Sequence, residues 1–224
     1  PLASSRLFFV RPGISRNSFA SRNNSSFISE RPQSRGIIQE SDPFSMTTEP
    51  ALDDDALLDT LQCETFEYFL HEVNPRNGLI ADKTREGWPA SIAATGLALA
   101  AYPIGVERGF MSRADAAAIT LTTLAFLWDS EQSTAADATG YKGFYYHFLD
   151  MDTGKRAWQC ELSTIDSTFL LAGALAAAMY FNRDEESEQR IRTLAVDLYR
   201  RADWKSAQNG AATVTLGYKP KQGF

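Results

Sequence analysis

The residues best suited to chemistry lie in one segment, YKGFYYHFLDMDTGKRAWQCELSTIDSTFLLAGAL, which runs from Tyr141 to Leu175. Six aromatic side chains, one histidine and three carboxylates fall within its first 22 residues. The segment then continues into a stretch that carries no charge from Ser167 to Phe181. Aromatic faces beside carboxylates at the mouth of a buried helix are suited to binding and cleaving carbohydrate.

Two carboxylates are the candidates for catalysis. Glycoside hydrolysis needs one carboxylic acid that protonates the leaving oxygen and a second carboxylate that activates water or attacks directly. Glu161 lies between Cys160 and Leu162, just before a predicted buried helix. Partial withdrawal from water there predicts a raised pKa, which suits a general acid. Asp82, which follows a turn in GLIADKT beside Lys83, is the second candidate.

The other polar candidates could bind substrate, and each has a structural alternative. Asp166 opens the fourth predicted helix in a capping box, which explains it without function. Asp150 and Asp152 belong to a predicted hairpin and its turn. Glu86 lies in a loop, where a solvated residue explains it as well as a functional one does. His147 could hydrogen-bond a sugar hydroxyl, although a single histidine among aromatics is more often structural.

Five helices are predicted from apolar periodicity and capping signals, at about residues 53–71, 89–102, 112–129, 163–181 and 185–203. The first, third and fifth are amphipathic, whereas the second and fourth are apolar all round and should be buried on every side. Pro103 is expected to end the second helix, and Ser112 and Ser163 to cap the third and fourth. This alternation favours two concentric rings of helices, an all-α (α/α)6 toroid, over a simple bundle.

The ring arrangement would bring distant carboxylates together. In a double ring the N-termini of the inner helices and the loops before them line one mouth of the cavity, so Asp82 and Glu161 could converge. Residues 130–162 form a long insertion in which Met151–Gly154 indicates the turn of a β-hairpin. A closed double ring of six helical hairpins needs about twelve helices, and the five predicted here are fewer than half of that number. We therefore expect the chain to be the N-terminal portion of a truncated domain.

Charge is distributed unevenly along the chain. Residues 1–45 contain six Arg and only three acidic residues, so this segment is about +3 and the rest about −9 within a net charge of −6. An acidic body argues against nucleic acid or an anionic membrane as the main partner. We interpret residues 1–50 as a disordered or spurious N-terminal extension, with a transit peptide as the alternative, and residues 51–224 as the domain.

Signals for a metal, a cofactor or a membrane are not found in the sequence. Cys63 and Cys160 lie far apart without a CxxC spacing, and the two histidines have no paired ligand pattern. We expect two free, partly buried thiols, with one disulfide as the alternative. No apolar run reaches the roughly 20 residues that cross a bilayer, so membrane insertion is not expected. Cellular location and oligomeric state stay open.

Four segments resemble, in this order and spacing, the bacterial glucoamylase-like domain family: GLIADKT, PASIAATGLALAAYPIGVERGFMSR, GYKGFYYHFLDMDTGKRAWQCELSTIDSTFLLAGAL and LYRRADW. The family includes the endo-β-1,2-glucanases of glycoside hydrolase family 144 and a related domain of cyclic β-1,2-glucan synthases. The resemblance covers about residues 55–224. It implies an (α/α)6 toroid with a carbohydrate cleft and metal-independent, inverting hydrolysis of β-1,2-glucan.

Roles for individual residues are also implied by the resemblance. Glu161 matches the stretch of a general acid, and Asp82 that of a carboxylate that contacts sugar or assists water. Trp158 and Tyr146 become the first candidates for aromatic subsites. Because the family's C-terminal half is missing from the matched pattern, the chain alone could lack activity. The alternative function is a noncatalytic carbohydrate-binding or scaffold domain of a larger glucan-processing protein.

Overall fold

Helices supply the framework of the structure, a computed structural model that describes residues 53–219. The interpretation of residues 1–50 lies outside the described residues. The helices are α1 (Asp54–His71), α2 (Ile92–Glu107), α3 (Arg113–Asp129), α4 (Thr164–Tyr180), α5 (Glu186–Arg201) and α6 (Trp204–Ala207). The strands are β1 (Ala90–Ser91), β2 (Gly140–Tyr141), β3 (Phe144–Tyr146), β4 (Phe148–Leu149), β5 (Leu162–Ser163) and β6 (Gly217–Tyr218).

Both ends of α2 differ from the sequence prediction. The helix begins at Ile92 and not at Pro89, because Ala90 and Ser91 pair with β4 and the Ser91 hydroxyl then accepts the N–H of Ala94 at 3.4 Å. It also continues through Pro103 to Glu107. A proline inside a helix costs about 3 kcal/mol through one lost hydrogen bond and a steric clash, which the close packing of α2 against α4 offsets.

The helices α2 and α4 form the centre of the fold, and glycines let their backbones meet. A Cβ atom on Gly173 would lie 2.0 Å from the carbonyl oxygen of Gly96, and one on Gly96 would lie 2.5 Å from that of Phe169. The serine cap predicted for α4 is present, since the Ser163 hydroxyl accepts the N–H of Asp166 at 3.1 Å.

The helices α3 and α5 pack around this pair and are joined by a buried ion pair. Arg113, the first residue of α3, donates from Nε and Nη2 to the two carboxylate oxygens of Glu188 at 2.8 and 2.9 Å. Ser112 caps α3 as predicted, accepting the N–H of Asp115 at 3.1 Å. Hydrogen bonds to Arg113 and to the backbone N–H of Arg183 outweigh burial and lower the pKa of Glu188.

Two predictions about burial were wrong. On α1, which the sequence predicts to be amphipathic, only Phe66 is buried, and the large apolar residues Leu58 and Leu61 stay exposed. The helices α2 and α4 are not buried on every side either. Large apolar side chains on their outward faces stay exposed among the described residues, namely Leu97, Ile104, Ile165, Phe169 and Met179.

The insertion between α3 and α4 folds into short strands and not into one long hairpin. The predicted turn is present, with the N–H of Asp150 donating to the carbonyl of Lys155 at 2.7 Å and a bridge between Leu149 and Arg156. Its strands, however, pair elsewhere: β4 with β1, and β3 within an antiparallel sheet of order β2-β3-β5-β6. The fold is therefore helix-rich with two small sheets.

The structure also bears on the predictions about the cysteines and about membrane insertion. Cys63 and Cys160 are free and partly buried, as expected. Between residues 53 and 219, none of the helices combines the length and the apolar character that crossing a lipid bilayer requires.

Candidate active site

A histidine and two carboxylates meet where α2 and α4 begin. His147 Nδ1 lies 3.0 Å from Glu161 Oε1 and 3.6 Å from Asp166 Oδ2. His147 follows β3, Glu161 precedes β5, and Asp166 lies in the first turn of α4. We refer to these three residues as the His147 cluster.

The backbone and a ring contact fix the position of His147. Its N–H donates to the carbonyl of Glu161 at 3.0 Å, and its own carbonyl accepts the N–H of Ile92, the first residue of α2, at 3.1 Å. Its imidazole stacks on Phe148 with ring centroids 3.9 Å apart and planes at 13°. The ring nitrogen is thereby held against both carboxylates at the N-termini of the two central helices.

The prediction of a raised pKa for Glu161 was wrong. Burial is the largest effect and does raise the pKa, but the side chain remains 37% exposed. A backbone hydrogen bond, the hydrogen bond and charge of His147 and the charge of Lys219 together exceed burial, so the pKa is lowered. Sequence reasoning missed this because His147 lies 14 positions from Glu161 and no local pattern predicts their pairing.

Asp82 lies beside a tryptophan that the sequence did not single out. Trp88 Nε1 donates to Asp82 Oδ2 at 3.1 Å, and the Lys83 ammonium lies 3.6 Å from the same oxygen. Lys83 and Arg85 also lie over the Trp88 ring, at 4.4 and 4.9 Å from its centroid. The only sequence signal for Trp88 was an aromatic residue just before the Pro89 that leads into a buried helix.

A row of aromatic rings connects Asp82 with the His147 cluster. Trp88 contacts Trp158 with centroids 4.8 Å apart, Trp158 contacts Phe148 at 5.3 Å, and Phe148 stacks on His147. The pairing of β1 with β4 holds the two halves of this row together. The two predicted catalytic carboxylates therefore lie at opposite ends of one aromatic row.

Beside this row lies a cleft of about 600 Å³, which we call the tryptophan cleft. Trp88 and Trp158 line it, together with three of the predicted polar candidates, Glu86, Asp150 and Asp152. Trp158 is 58% exposed. Most of the candidates therefore fall into two groups, the His147 cluster and the tryptophan cleft, and Asp82 adjoins the cleft through its hydrogen bond with Trp88.

Asp150 and Asp152 also have the structural roles that were weighed from the sequence. Asp150 Oδ1 accepts the N–H groups of Asp152 and Thr153, at 3.2 and 2.8 Å, and the Thr153 hydroxyl at 2.7 Å. The bonds from Thr153 come first among the causes that lower the pKa of Asp150. Asp152 pairs with Arg76 at the surface.

Tyr146 does not present its ring to the cleft. It is 1% exposed, and the Arg156 guanidinium lies over its face at 4.4 Å from the ring centroid. All three residues of β3 are buried, so both faces of the strand are covered and the Tyr146 ring lies in the core. A stacking role for Tyr146 is thus excluded by packing, and its contact with Arg156 is the feature that sequence reasoning missed.

The His147 cluster is also where a cation could be held. Its ligand atoms lie within 4.8 Å of one another, and no other His, Cys, Asp or Glu group between residues 53 and 219 brings three ligands this close. The direct hydrogen bond between His147 and Glu161 accounts for the arrangement without an ion. The prediction that no metal is required stays a prediction.

Comparison with known proteins gives a consistent picture. No family model matches the chain. An exo β-1,2-glucooligosaccharide sophorohydrolase (non-reducing end) from Parabacteroides distasonis is 29% identical over 175 residues, which is 74% of this chain and 22% of that protein. The chain thus spans about a fifth of the length of this curated relative.

Solved structures agree in fold. A candidate glucoamylase from Bacteroides uniformis has a TM-score of 0.70 and 30% identity over 78% of this chain and 42% of its own. A β-1,2-glucanase from Parabacteroides distasonis has a TM-score of 0.67 and 25% identity over 77% of this chain and 25% of its own. The resemblance predicted from the sequence motifs is thereby confirmed: over about three quarters of its length the chain is similar to glucoamylase-like proteins, among which the named relatives are glycoside hydrolases.

Proposed function

We propose that the chain forms part of the active-site cleft of a glycoside hydrolase that acts on β-1,2-glucan. The observation that carries the proposal is the aromatic row with a carboxylate at each end, because glycoside hydrolysis needs two carboxylates beside a surface that binds sugar rings. The similarity to a sophorohydrolase and to a β-1,2-glucanase supports this substrate class.

The proposed reaction is inverting hydrolysis. The glycosidic bond between the anomeric carbon and the leaving oxygen breaks, and the leaving oxygen takes a proton from one carboxylic acid. A water molecule bonds to the anomeric carbon and gives its proton to the second carboxylate. We assign Glu161 as the acid and Asp82 as the carboxylate that contacts sugar or assists water.

The lowered pKa of Glu161 requires a source for the proton that it donates. Burial is already the strongest influence on this carboxylate and raises its pKa. A sugar that covers the cluster would increase that burial and so raise the pKa of the carboxylate. His147 Nδ1 lies 3.0 Å from Glu161 Oε1, within hydrogen-bond distance for exchanging a proton with the carboxylate.

The larger architecture that we propose is an (α/α)6 toroid. The pair α2 and α4 would belong to the inner ring, and α1, α3 and α5 to the outer one. The apolar side chains exposed on α2 and α4, such as Leu97 and Phe169, are the surface that further inner helices would cover. The toroid would place the His147 cluster and Asp82 at one mouth of the cavity.

The deciding experiment uses a full-length protein and linear β-1,2-glucan, with release of reducing ends as the readout. Glu161→Gln should lower kcat by about 10²–10⁴-fold, the usual contribution of a positioned general acid, while affinity is largely retained. Glu64→Gln, a matched change on the exposed face of α1, should behave as wild type. Wild-type rates for Glu161→Gln would remove it from the mechanism. Binding without any hydrolysis by the wild type would favour the noncatalytic carbohydrate-binding alternative.

A further inference from the structure

The backbone that carries Trp158 is strained. The N–H of Cys160 donates to the carbonyl of Ala157 at 3.2 Å, which closes a four-residue turn. Both central residues, Trp158 and Gln159, have φ of 54°, in the left-handed region. Turns with two such residues favour Asn-Gly, and left-handed conformation costs an L-residue about 1–2 kcal/mol. Neither residue here is of a type that relieves the strain.

One side chain holds this turn in place. Arg156 donates from Nε to the carbonyl of Cys160 and from Nη2 to the carbonyl of Gln159, both at 2.6 Å. Its Nη1 reaches the carbonyl of Ala136 at 3.3 Å, and its guanidinium lies over the buried ring of Tyr146. A planar fork with several donors can bridge two carbonyls in this way, whereas a lysine ammonium cannot hold the same geometry.

The turn places a large apolar ring in water. Trp158 is 58% exposed and meets the ring of Trp88 at 75°, so the two indoles form a corner in the wall of the tryptophan cleft. Strain and apolar exposure both oppose folding, and strained residues that persist concentrate at ligand clamps and active sites. A pyranose ring has apolar faces that fit such a corner.

We propose that Arg156 is the positioning residue that sets the Trp158 ring in the tryptophan cleft, where Trp158, supported by Trp88, forms a glucosyl-binding subsite at the Asp82 end of the aromatic row. The inference rests on the proposed function and deepens it. Phe148 connects the corner to His147, so the subsite adjoins the cluster. Glu86 and Arg85 at the rim are available to hydrogen-bond sugar hydroxyls. Longer oligosaccharides should gain most from this subsite.

The test compares kinetics on β-1,2-gluco-oligosaccharides of increasing length in the full-length protein. Trp158→Ala should raise KM about tenfold for the longer substrates, which corresponds to about 1.4 kcal/mol of lost stacking, with a smaller effect on the shortest. Arg156→Lys should shift KM in the same direction. Adding Gln159→Gly to Arg156→Lys should recover part of the loss, because glycine accepts the left-handed conformation. Tyr199→Ala, an exposed aromatic on α5, serves as the control.

The outcomes separate the two proposals. Unchanged KM for Trp158→Ala, or an equal loss at every substrate length, would overturn the subsite even if β-1,2-glucan is hydrolysed. Failure of Gln159→Gly to recover any affinity would overturn the positioning role of Arg156. If β-1,2-glucan is not hydrolysed, the subsite is tested by titrating the intrinsic tryptophan fluorescence with other β-glucan oligosaccharides. Binding that depends on Trp158 would then retain the subsite, and its absence would remove it.

Discussion

At the residue scale, the hydrogen bond between His147 and Glu161 is one of the interactions that favour the ionised form of the proposed acid. Burial raises the pKa of Glu161. Its backbone hydrogen bond, His147 and Lys219 together lower it by more, so the pKa lies below its ordinary value. A lowered carboxylate pKa means that ionised Glu161 stabilises the folded state above the ordinary glutamate pKa. This contribution is lost as the pH falls through the lowered value.

Removal of the imidazole should therefore raise the pKa of Glu161. His147→Gln leaves burial in place but deletes the positive partner, so the carboxylate should titrate at higher pH than in the wild type. ¹³C NMR of the side-chain carboxyl during a pH titration measures this directly. His71→Gln, at the end of α1, changes the chain's other histidine and should leave Glu161 unaffected. A Glu161 pKa that stays the same or falls in His147→Gln would contradict the assignment.

The site was only partly predictable from the sequence. Glu161 and Asp166 were singled out because each lies near a predicted helix start, and His147 because it is a histidine among aromatic residues; the structure brings the three together. Trp88 was missed because its contact with Trp158 joins two distant loops, and Arg156 because it bonds to backbone carbonyls, which no residue type signals. The strained turn at Trp158 also gave no signal, since the residues that normally predict such a conformation are glycine and asparagine.

At the element scale, the contact between α2 and α4 depends on two glycines. Because alanine is favoured over glycine in a helix by about 1 kcal/mol, an unhindered Gly→Ala change would stabilise. At Gly173 the added Cβ would lie 2.0 Å from a backbone oxygen that cannot move aside. We expect Gly173→Ala to lower the free energy of unfolding by about 1–3 kcal/mol through overpacking, measured by urea denaturation.

Gly105→Ala on α2 is the matched control for this prediction. There the Cβ would meet the outer atoms of the Phe66 ring, the nearest at 2.2 Å, and a side chain on the loosely packed α1 can shift. The loss of stability should be clearly smaller than for Gly173→Ala. Equal losses of stability at the two positions would show that the close approach of the α2 and α4 backbones is not the reason why Gly173 resists substitution.

A second element-scale prediction concerns the ion pair that joins α3 to α5. The Glu188 side chain is 2% exposed, so Glu188→Gln leaves the Arg113 charge without its partner and should cost about 3 kcal/mol. Since the pKa of Glu188 is lowered, the contribution is full above the ordinary glutamate pKa and disappears as the pH falls through the lowered one. Chemical denaturation at several pH values should show the gap between wild type and variant narrowing on acidification.

The exposed pair of Lys155 and Asp137 provides the comparison for the buried pair. Both side chains are more than half exposed, and solvent screens such a surface ion pair so that it contributes little to stability. Asp137→Asn should therefore have little effect at neutral pH. A cost as large as that of Glu188→Gln would mean that burial does not determine the strength of these pairs.

Among the elements, caps were predicted more accurately than helix ends set by tertiary contacts. Ser112 and Ser163 cap α3 and α4 as expected, since a capping box is a local signal. The start of α2 was misplaced because Ala90 and Ser91 pair with a strand almost sixty residues later in the chain. Its end was misplaced because packing against α4 outweighs the local preference of Pro103.

At the scale of the whole molecule, the apolar faces of α2 and α4 connect the described fold with the proposed toroid. The chain spans 42% of the structure of the Bacteroides uniformis relative. Phe169 on α4 is 49% exposed, whereas Phe181 at the end of the same helix is fully buried. If further helices complete an inner ring, they cover Phe169 in the longer protein. The burial of Phe181 then stays the same.

The toroid therefore predicts that the cost of one substitution depends on chain length. Phe169→Ala should lower the free energy of unfolding of the 224-residue chain by about 1 kcal/mol, since half of the ring already contacts water. In a full-length protein the same change should cost about 3–5 kcal/mol, as for a buried phenylalanine. Phe181→Ala should cost about 3–5 kcal/mol in both proteins and controls for general differences in stability. Denaturant unfolding followed by circular dichroism measures all four values, and an equal cost of Phe169→Ala in the two lengths would contradict coverage of this face by further helices.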